Sequence, residues 1–76
     1  MQQGDAVQVD IAEDVMIVGR LIQMGPRRST VVEAHAFHRM WGGSNACRGE
    51  KHRVDTKKLE PCYRPYKRIV DKFCPA

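Results

Sequence analysis

Cysteine and histidine are the residue types in this sequence that could bind a metal ion. They are Cys47, Cys62, Cys74, His35, His38 and His52. Structural zinc sites usually contain a Cys-x2-4-Cys or His-x3-5-His pair, in which one short turn supplies two ligands. No two cysteines are that close here, and Cys47, His52 and Cys62 form the best set of ligands available. The spacing therefore predicts no metal site and no cofactor.

A cysteine beside a histidine could also act as a nucleophile, and Cys47 with His52 is the pair to consider. The sequence contains neither a nucleophile elbow nor a phosphate-binding glycine loop. A chain of 76 residues also has little room for the pocket of roughly 300–1,000 Å³ that most ligands occupy. We therefore predict that the protein is not an enzyme.

The cysteine count bears on where the protein works. Three cysteines cannot all pair within one chain. The first residues, MQQGDAVQVD, lack the basic and then apolar pattern of a secretory signal peptide, and no apolar run approaches the roughly 20 residues of a membrane span. These features predict a soluble cytoplasmic protein with reduced thiols. One intramolecular disulfide remains an alternative if the compartment is oxidising.

Basic residues are concentrated in the second half of the chain. Residues 39–76 contain ten basic and four acidic residues, whereas residues 1–38 contain three and five. Such an uneven field favours association with a polyanion or an acidic protein surface.

The basic residues around the loop and the fourth strand predict a nucleic-acid-binding site. Its residues are Trp41, Arg48, Lys51, Arg53, Lys57 and Lys58. Lysine and arginine release counterions from a phosphate backbone, and an exposed tryptophan can stack on a base. The competing interpretation is a solvated basic face with Trp41 packed onto the core.

Alternating apolar residues predict a mainly β fold. Residues 6–11 alternate, residues 15–24 are apolar around Gly19, and residues 29–37 are rich in Val and Ala, so each predicts a strand. Residues 39–50 have no period and predict a long loop. Residues 52–56 predict a short fourth strand, and Leu59 is expected to point inward.

The period changes after Pro65. Tyr66, Ile69, Val70 and Phe73 are spaced as one stripe of an amphipathic helix, which we expect to cover one open end of the sheet. The predicted core consists of Val7, Val9, Ile11, Ile17, Leu21, Val31, Val54, Leu59, Ile69, Val70 and Phe73.

The order of the elements resembles the SH3-like small barrels, the group that includes KOW and Tudor-like modules. The segments that carry the resemblance are GDAVQVDI, MIVGRLIQMG, STVVEAH and HRVDTKKLEP. The resemblance implies a small antiparallel barrel over residues 4–62. The length of 76 residues predicts a single domain over residues 1–76, in which the short C-terminal α-helix over 65–74 is an addition to the barrel pattern. No binding residues carry over from the group, because this pattern of strands and turns transmits no function.

Two functions are compatible with this sequence. The first is a small accessory protein that binds nucleic acid through its basic second half. The second is a protein-interaction module that modulates a larger complex, with a homo-oligomer as one alternative. Small barrels expose sheet edges that can accept a partner strand. A steep dependence of binding on salt would distinguish the first from the second.

Overall fold

A computed structural model of the chain contains one antiparallel sheet and one terminal helix. It describes residues 1–40, 42–46 and 49–74, with the backbone alone for residues 44–46. The strands are β1 (Ala6–Ala12), β2 (Val15–Met24), β3 (Arg28–His38), β4 (Gly43–Ala46), β5 (Lys51–Asp55) and β6 (Glu60–Pro61). A 3₁₀ turn (Thr56–Lys58) joins β5 to β6, and the helix is α1 (Arg64–Phe73). The prediction of a mainly β fold with a short C-terminal helix is confirmed.

The sheet is built around β1, β2 and β3, which run antiparallel in chain order. The far side of β3 pairs with two strands, with β4 along residues 35–38 and with β5 along residues 28–32. The short strand β6 returns to pair with β1. Among the described residues, no helix is long and apolar enough to cross a membrane.

The sheet buries apolar residues on both faces. The inner-face cluster contains Val7, Val9, Ile17, Leu21, Val31, Ala36, Val54 and Leu59. The helix-face cluster contains Val18, Ala34, Val70 and Cys74, with Met16, Val32, Phe37, Tyr66 and Ile69 partly buried against it. Burial on both faces explains why the sequence of β2 is apolar without simple alternation, as is usual for a strand covered on both sides.

The helix covers this second face rather than an open end of the sheet, so the predicted position of α1 is wrong. Val70 is fully buried, whereas Ile69 is only partly buried and Phe73 is 45% exposed. Cys74, which follows the helix, takes the buried position expected for Phe73.

Arg20 of β2 fixes the end of the helix in this orientation. Its guanidinium donates hydrogen bonds of 3.1 and 2.8 Å to the carbonyl of Cys74 and one of 3.0 Å to Asp71. A cation suits the negative end of the helix dipole and the carbonyls left unpaired there. These contacts turn Cys74 inward and leave Phe73 at the surface.

Two other predictions differ from the structure. Ile11 is 39% exposed because the register of β1 with β2 shifts between Asp10 and Ala12, which takes Ile11 out of the alternation. The predicted loop over residues 39–50 contains β4. Its sequence, GSNA, has no strand pattern, and its extended backbone is stabilised by pairing with β3.

Gly19 lies at a bulge in the centre of the sheet. The register of β2 with β3 shifts between Val18 and Gly19, since Val18 pairs with His35 and Gly19 pairs with Glu33. A Cβ atom on Gly19 would lie 2.0 Å from the carbonyl oxygen of Val32, which is backbone and cannot move aside. The close approach of the two strands therefore requires glycine at this position.

We predict that Gly19→Ala lowers the free energy of unfolding by about 3 kcal/mol, the upper end of the cost of overpacking. The matched change Gly42→Ala should cost about 1 kcal/mol, the strain of a left-handed backbone, because its φ is +61° and an added Cβ meets nothing within 4 Å. Urea unfolding of both variants measures the difference. Equal losses would contradict the steric role of Gly19.

Candidate functional site

The edge strand β5 carries two of the predicted nucleic-acid contacts on one side. Lys51 pairs with Val32 and Arg53 pairs with Thr30, and both basic residues are exposed. Directly paired residues point to the same side of a sheet. Because Val32 packs in the helix-face cluster, Lys51 and Arg53 lie on the helix side of the sheet.

Lys57 and Lys58 follow β5 in the 3₁₀ turn, and both are exposed. Lys58 Nζ lies 4.0 Å from Asp55 Oδ2. The structure thus places four of the six predicted contacts along β5 and the turn after it. Trp41 and Arg48 lie outside the described residues.

Two arginines from the first half of the chain join these four residues. Arg28 pairs with Asp55 across β3 and β5, and the Arg27 carbonyl accepts a 2.9 Å hydrogen bond from the Thr56 amide. Both arginine side chains are exposed. We call the combined surface the β5 basic patch. It consists of Arg27, Arg28, Lys51, Arg53, Lys57 and Lys58.

Arg27 and Arg28 were not among the predicted contacts, because the first half of the chain carries net negative charge. Two consecutive arginines in a Gly-Pro turn were the available signal. That signal does not show which part of the chain the turn will meet.

Most charges of the β5 basic patch are not neutralised within the described part of the chain. Arg27, Arg28, Lys51, Arg53 and Lys57 form no ion pair within 4.0 Å there. The carboxylate of Asp10, which lies near this patch, is paired with Arg39 at 2.8 Å. The patch therefore retains a positive field at the surface.

A shallow depression runs along β5 and has a volume of about 390 Å³. Arg28, Arg53 and Lys58 contribute cations to its lining, and Ile11 and Val54 contribute apolar surface. The two carboxylates of its lining are those of Asp10 and Asp55. Cations beside apolar groups suit a ligand that has both a phosphate and a sugar or base.

A ring of hydrogen bonds holds the Arg27–Arg28 turn against β5. The Thr56 hydroxyl donates to the Gly25 carbonyl at 2.8 Å, and the Ser29 and Thr56 hydroxyls lie 2.7 Å apart. Since Thr56 donates to Gly25, Ser29 donates to Thr56. The Gly25 amide completes the ring with a 3.4 Å hydrogen bond to Ser29. Ser29 is only 2% exposed, so water cannot easily replace these partners.

Two members of the ligand set considered from the sequence, His52 and Cys62, lie on different sides of the sheet. Cys62 packs in the helix-face cluster, and its amide donates to the Ala6 carbonyl at 3.2 Å. His52 instead contacts Glu33, with 2.8 Å between Nε2 and Oε1. Cys47 lies outside the described residues.

The two described thiols are poor nucleophiles. Burial raises the pKa of Cys74, and the Arg20 guanidinium partly opposes that shift. Burial also raises the pKa of Cys62, the Asp71 carboxylate raises it further, and Lys67 partly opposes both. A thiol that stays protonated reacts slowly, because the thiolate is the nucleophile.

No protein-family model matches the chain, and neither a curated protein nor a solved structure matches it. Its function must therefore be inferred from its own residues and their geometry.

We predict that Thr56→Val lowers the free energy of unfolding by about 1–3 kcal/mol, because it leaves the buried Ser29 hydroxyl and the Gly25 carbonyl without their partner. Thr30→Val is the matched control, since Thr30 is partly buried on β3 and its side chain takes no part in this ring. Thermal unfolding compares the two variants. A Thr30→Val loss as large as that of Thr56→Val would count against the ring.

We predict that Cys62 and Cys74 react with a disulfide reagent more slowly in the folded protein than in urea at pH 8. The experiment uses Cys47→Ser protein, so that only the described thiols report. The folded pKa values lie above the ordinary value of 9.0, so the folded state holds these protons more tightly than the unfolded state. Tighter proton binding by the two thiols stabilises the folded state relative to the unfolded state. This stabilisation is present below about pH 9 and is lost as the pH rises through the folded pKa values. Equal labelling rates in buffer and in urea would contradict the prediction.

Proposed function

We propose that the protein is a small non-enzymatic accessory protein that binds nucleic acid through the β5 basic patch. The observation that carries the proposal is the set of exposed cations on one edge strand and its two neighbouring turns, five of which have no ion pair among the described residues. Exposed cations without an ion-pair partner favour binding to a polyanion, because binding releases the counterions condensed on its phosphates.

The geometry of β5 supports contacts with a phosphate backbone. Lys51 and Arg53 are alternate residues of one strand. Their side chains therefore lie on the same side of the strand, with their Cα atoms about 6.6 Å apart. Arg28 lies across the sheet from the end of that strand, and Arg27 and Lys57 extend the row beyond it. A row of cations on a rigid strand holds an extended backbone without reading its bases.

Trp41 and Arg48 belong to the proposal as expectations from the sequence. Trp41 would stack on a base, which is worth about 1–3 kcal/mol where it occurs. Arg48, which precedes β5 in the chain, would add a phosphate contact.

We also propose that the sheet is a small barrel of the SH3-like kind and that the protein works in the cytoplasm. The return of β6 to β1, with a 3₁₀ turn between β5 and β6, supports the barrel. The free thiols of Cys62 and Cys74 support a reducing compartment.

The second candidate function is a protein-interaction module that binds an acidic protein surface or a second copy of the chain. Tyr63, which precedes α1, is 60% exposed, and Phe73, the last residue of α1, is 45% exposed. Exposed aromatic residues beside cations are typical of protein interfaces. An apolar protein interface of this kind would depend less on salt than phosphate binding does.

We predict that the protein binds single- or double-stranded oligonucleotides at 50 mM salt and loses affinity steeply towards 200 mM. In Arg27→Gln/Lys57→Gln protein, the slope of log K against log salt should fall in magnitude by about 1.4–1.8, which corresponds to two lost phosphate contacts. Fluorescence anisotropy of labelled oligonucleotides measures both quantities. Quenching of the single tryptophan tests stacking by Trp41.

The matched control is Lys67→Gln/Lys72→Gln, which removes the same charge from two exposed cations of α1. It should change the slope by much less. If the wild-type protein binds neither oligonucleotide at low salt, the proposal is wrong. If the helix control loses as much as the patch variant, binding is not localised at β5.

A further inference from the structure

Three possible metal ligands converge on the other side of β5. His52 pairs with Val31, a residue of the inner-face cluster, so its side chain lies on the inner side of the strand. Glu33 follows two residues after Val31 on β3. The Glu33 amide donates a 2.8 Å hydrogen bond to the Glu50 carbonyl, which holds Glu50 beside it.

The ligand atoms of these residues are close enough to share one ion. His52 Nε2 lies 2.8 Å from Glu33 Oε1 and 3.8 Å from Glu50 Oε2, and the three ligand atoms lie within 4.8 Å of one another. Two ligands bonded to zinc at about 2.0–2.2 Å are at most about 4.4 Å apart. The side chain of Glu50 is 75% exposed and can supply the small adjustment.

A separate observation concerns the partners of the buried atoms in this cluster. The Glu33 side chain is only 7% exposed, and its carboxylate lies 2.8 Å from His52 Nε2. The His52 Nε2 atom is buried and has no hydrogen-bond partner, because its contact with Glu33 lacks hydrogen-bonding geometry. A ring nitrogen buried in this way is costly without a hydrogen-bond partner, and a metal ion would supply one partner to both side chains.

We propose that Glu33, Glu50 and His52 bind a divalent transition-metal ion, with Zn²⁺ as the best match. Imidazole nitrogen and carboxylate oxygen are both zinc ligands, and a site with three protein ligands leaves one position for water. Two carboxylates balance the charge of the ion. The ion links β3 to β5, so its role is to hold the edge strand in place.

The zinc proposal does not rest on nucleic-acid binding. Lys51 and Arg53 point to one side of β5 and His52 points to the other, while His52 also lines the depression along that strand. Zinc binding and oligonucleotide binding are measured separately, so the failure of one proposal leaves the other standing.

The test uses the full chain without an affinity tag. Zn²⁺ is titrated by calorimetry, and Co²⁺ is titrated by absorption spectroscopy, where a sulfur-to-cobalt charge-transfer band would reveal binding by cysteine. We expect one equivalent of each metal, no sulfur band, and a thermal midpoint that rises with zinc concentration. The ¹⁵N shift of His52 Nε2 should move when zinc binds.

Glu50→Gln is the decisive variant, since an exposed residue can change without disturbing the fold. It should weaken zinc binding at least tenfold, as should Glu33→Gln if that variant folds. Glu60→Gln, an exposed change on β6, is the matched control and should bind as the wild-type protein does. The proposal is overturned if the folded wild-type protein shows no saturable binding, if Glu50→Gln binds as well as Glu60→Gln, or if cobalt gives a sulfur band.

Discussion

Strands β2 and β3 are buried on both faces, and the rest of the structure depends on this constraint. The inner side of the sheet is filled by residues such as Ile17 and Val31, and the other side needs a cover over Val18 and Ala34. The ten-residue helix α1 supplies that cover. A helix this short is marginal alone, so its stability comes from packing. The guanidinium of Arg20, which binds the helix end, joins the two layers.

Because the centre of the sheet is covered on both faces, the residues of both proposed sites lie at its edge. Within the described part of the chain, strand β5 pairs only with β3, and Lys51 and Arg53 are exposed along it. Charged side chains on an edge strand oppose pairing with another sheet, so these cations also protect the protein from aggregation. The Arg27–Arg28 turn is a different case. The buried hydroxyls of Ser29 and Thr56 hold this turn against the end of β5. Two further cations at this position are not needed to keep another strand from pairing with the edge.

The alternation of β5 separates the exposed cations from the inward-facing side chains of the same strand. Lys51 and Arg53 carry positive charge towards the helix side, while His52 and Val54 point inward, towards Glu33 and the apolar core. A strand that ends in a rigid turn can therefore present cations on one side and be anchored from the other. Both sets of side chains belong to the five-residue strand β5. The position of the β5 basic patch therefore depends on how firmly this strand is paired with β3.

The sequence by itself determined the local features of this protein. Alternation in β1, the β-branched content of β2 and β3, and the helical stripe after Pro65 are set by neighbouring residues, so β1, β2, β3, β5 and α1 could be predicted within one or two positions. The inward position of Leu59 and the exposure of four neighbouring cations followed in the same way. The chain positions of Lys51, Arg53, Lys57 and Lys58 already lie close together.

Only the tertiary structure decided the features that join distant residues. The strand β4 has no pattern of its own and exists through its pairing with β3. Arg27 and Arg28 reach the basic surface through the ring around Thr56, and Glu33 meets Glu50 and His52 through the pairing of β3 with β5. Cys74 rather than Phe73 is buried at the end of the helix, where the Cys74 carbonyl accepts a hydrogen bond from Arg20, more than fifty residues earlier. The physical reason is the same in each case: periodicity reports on neighbours within a strand or a turn, while the register between strands sets which distant side chains meet.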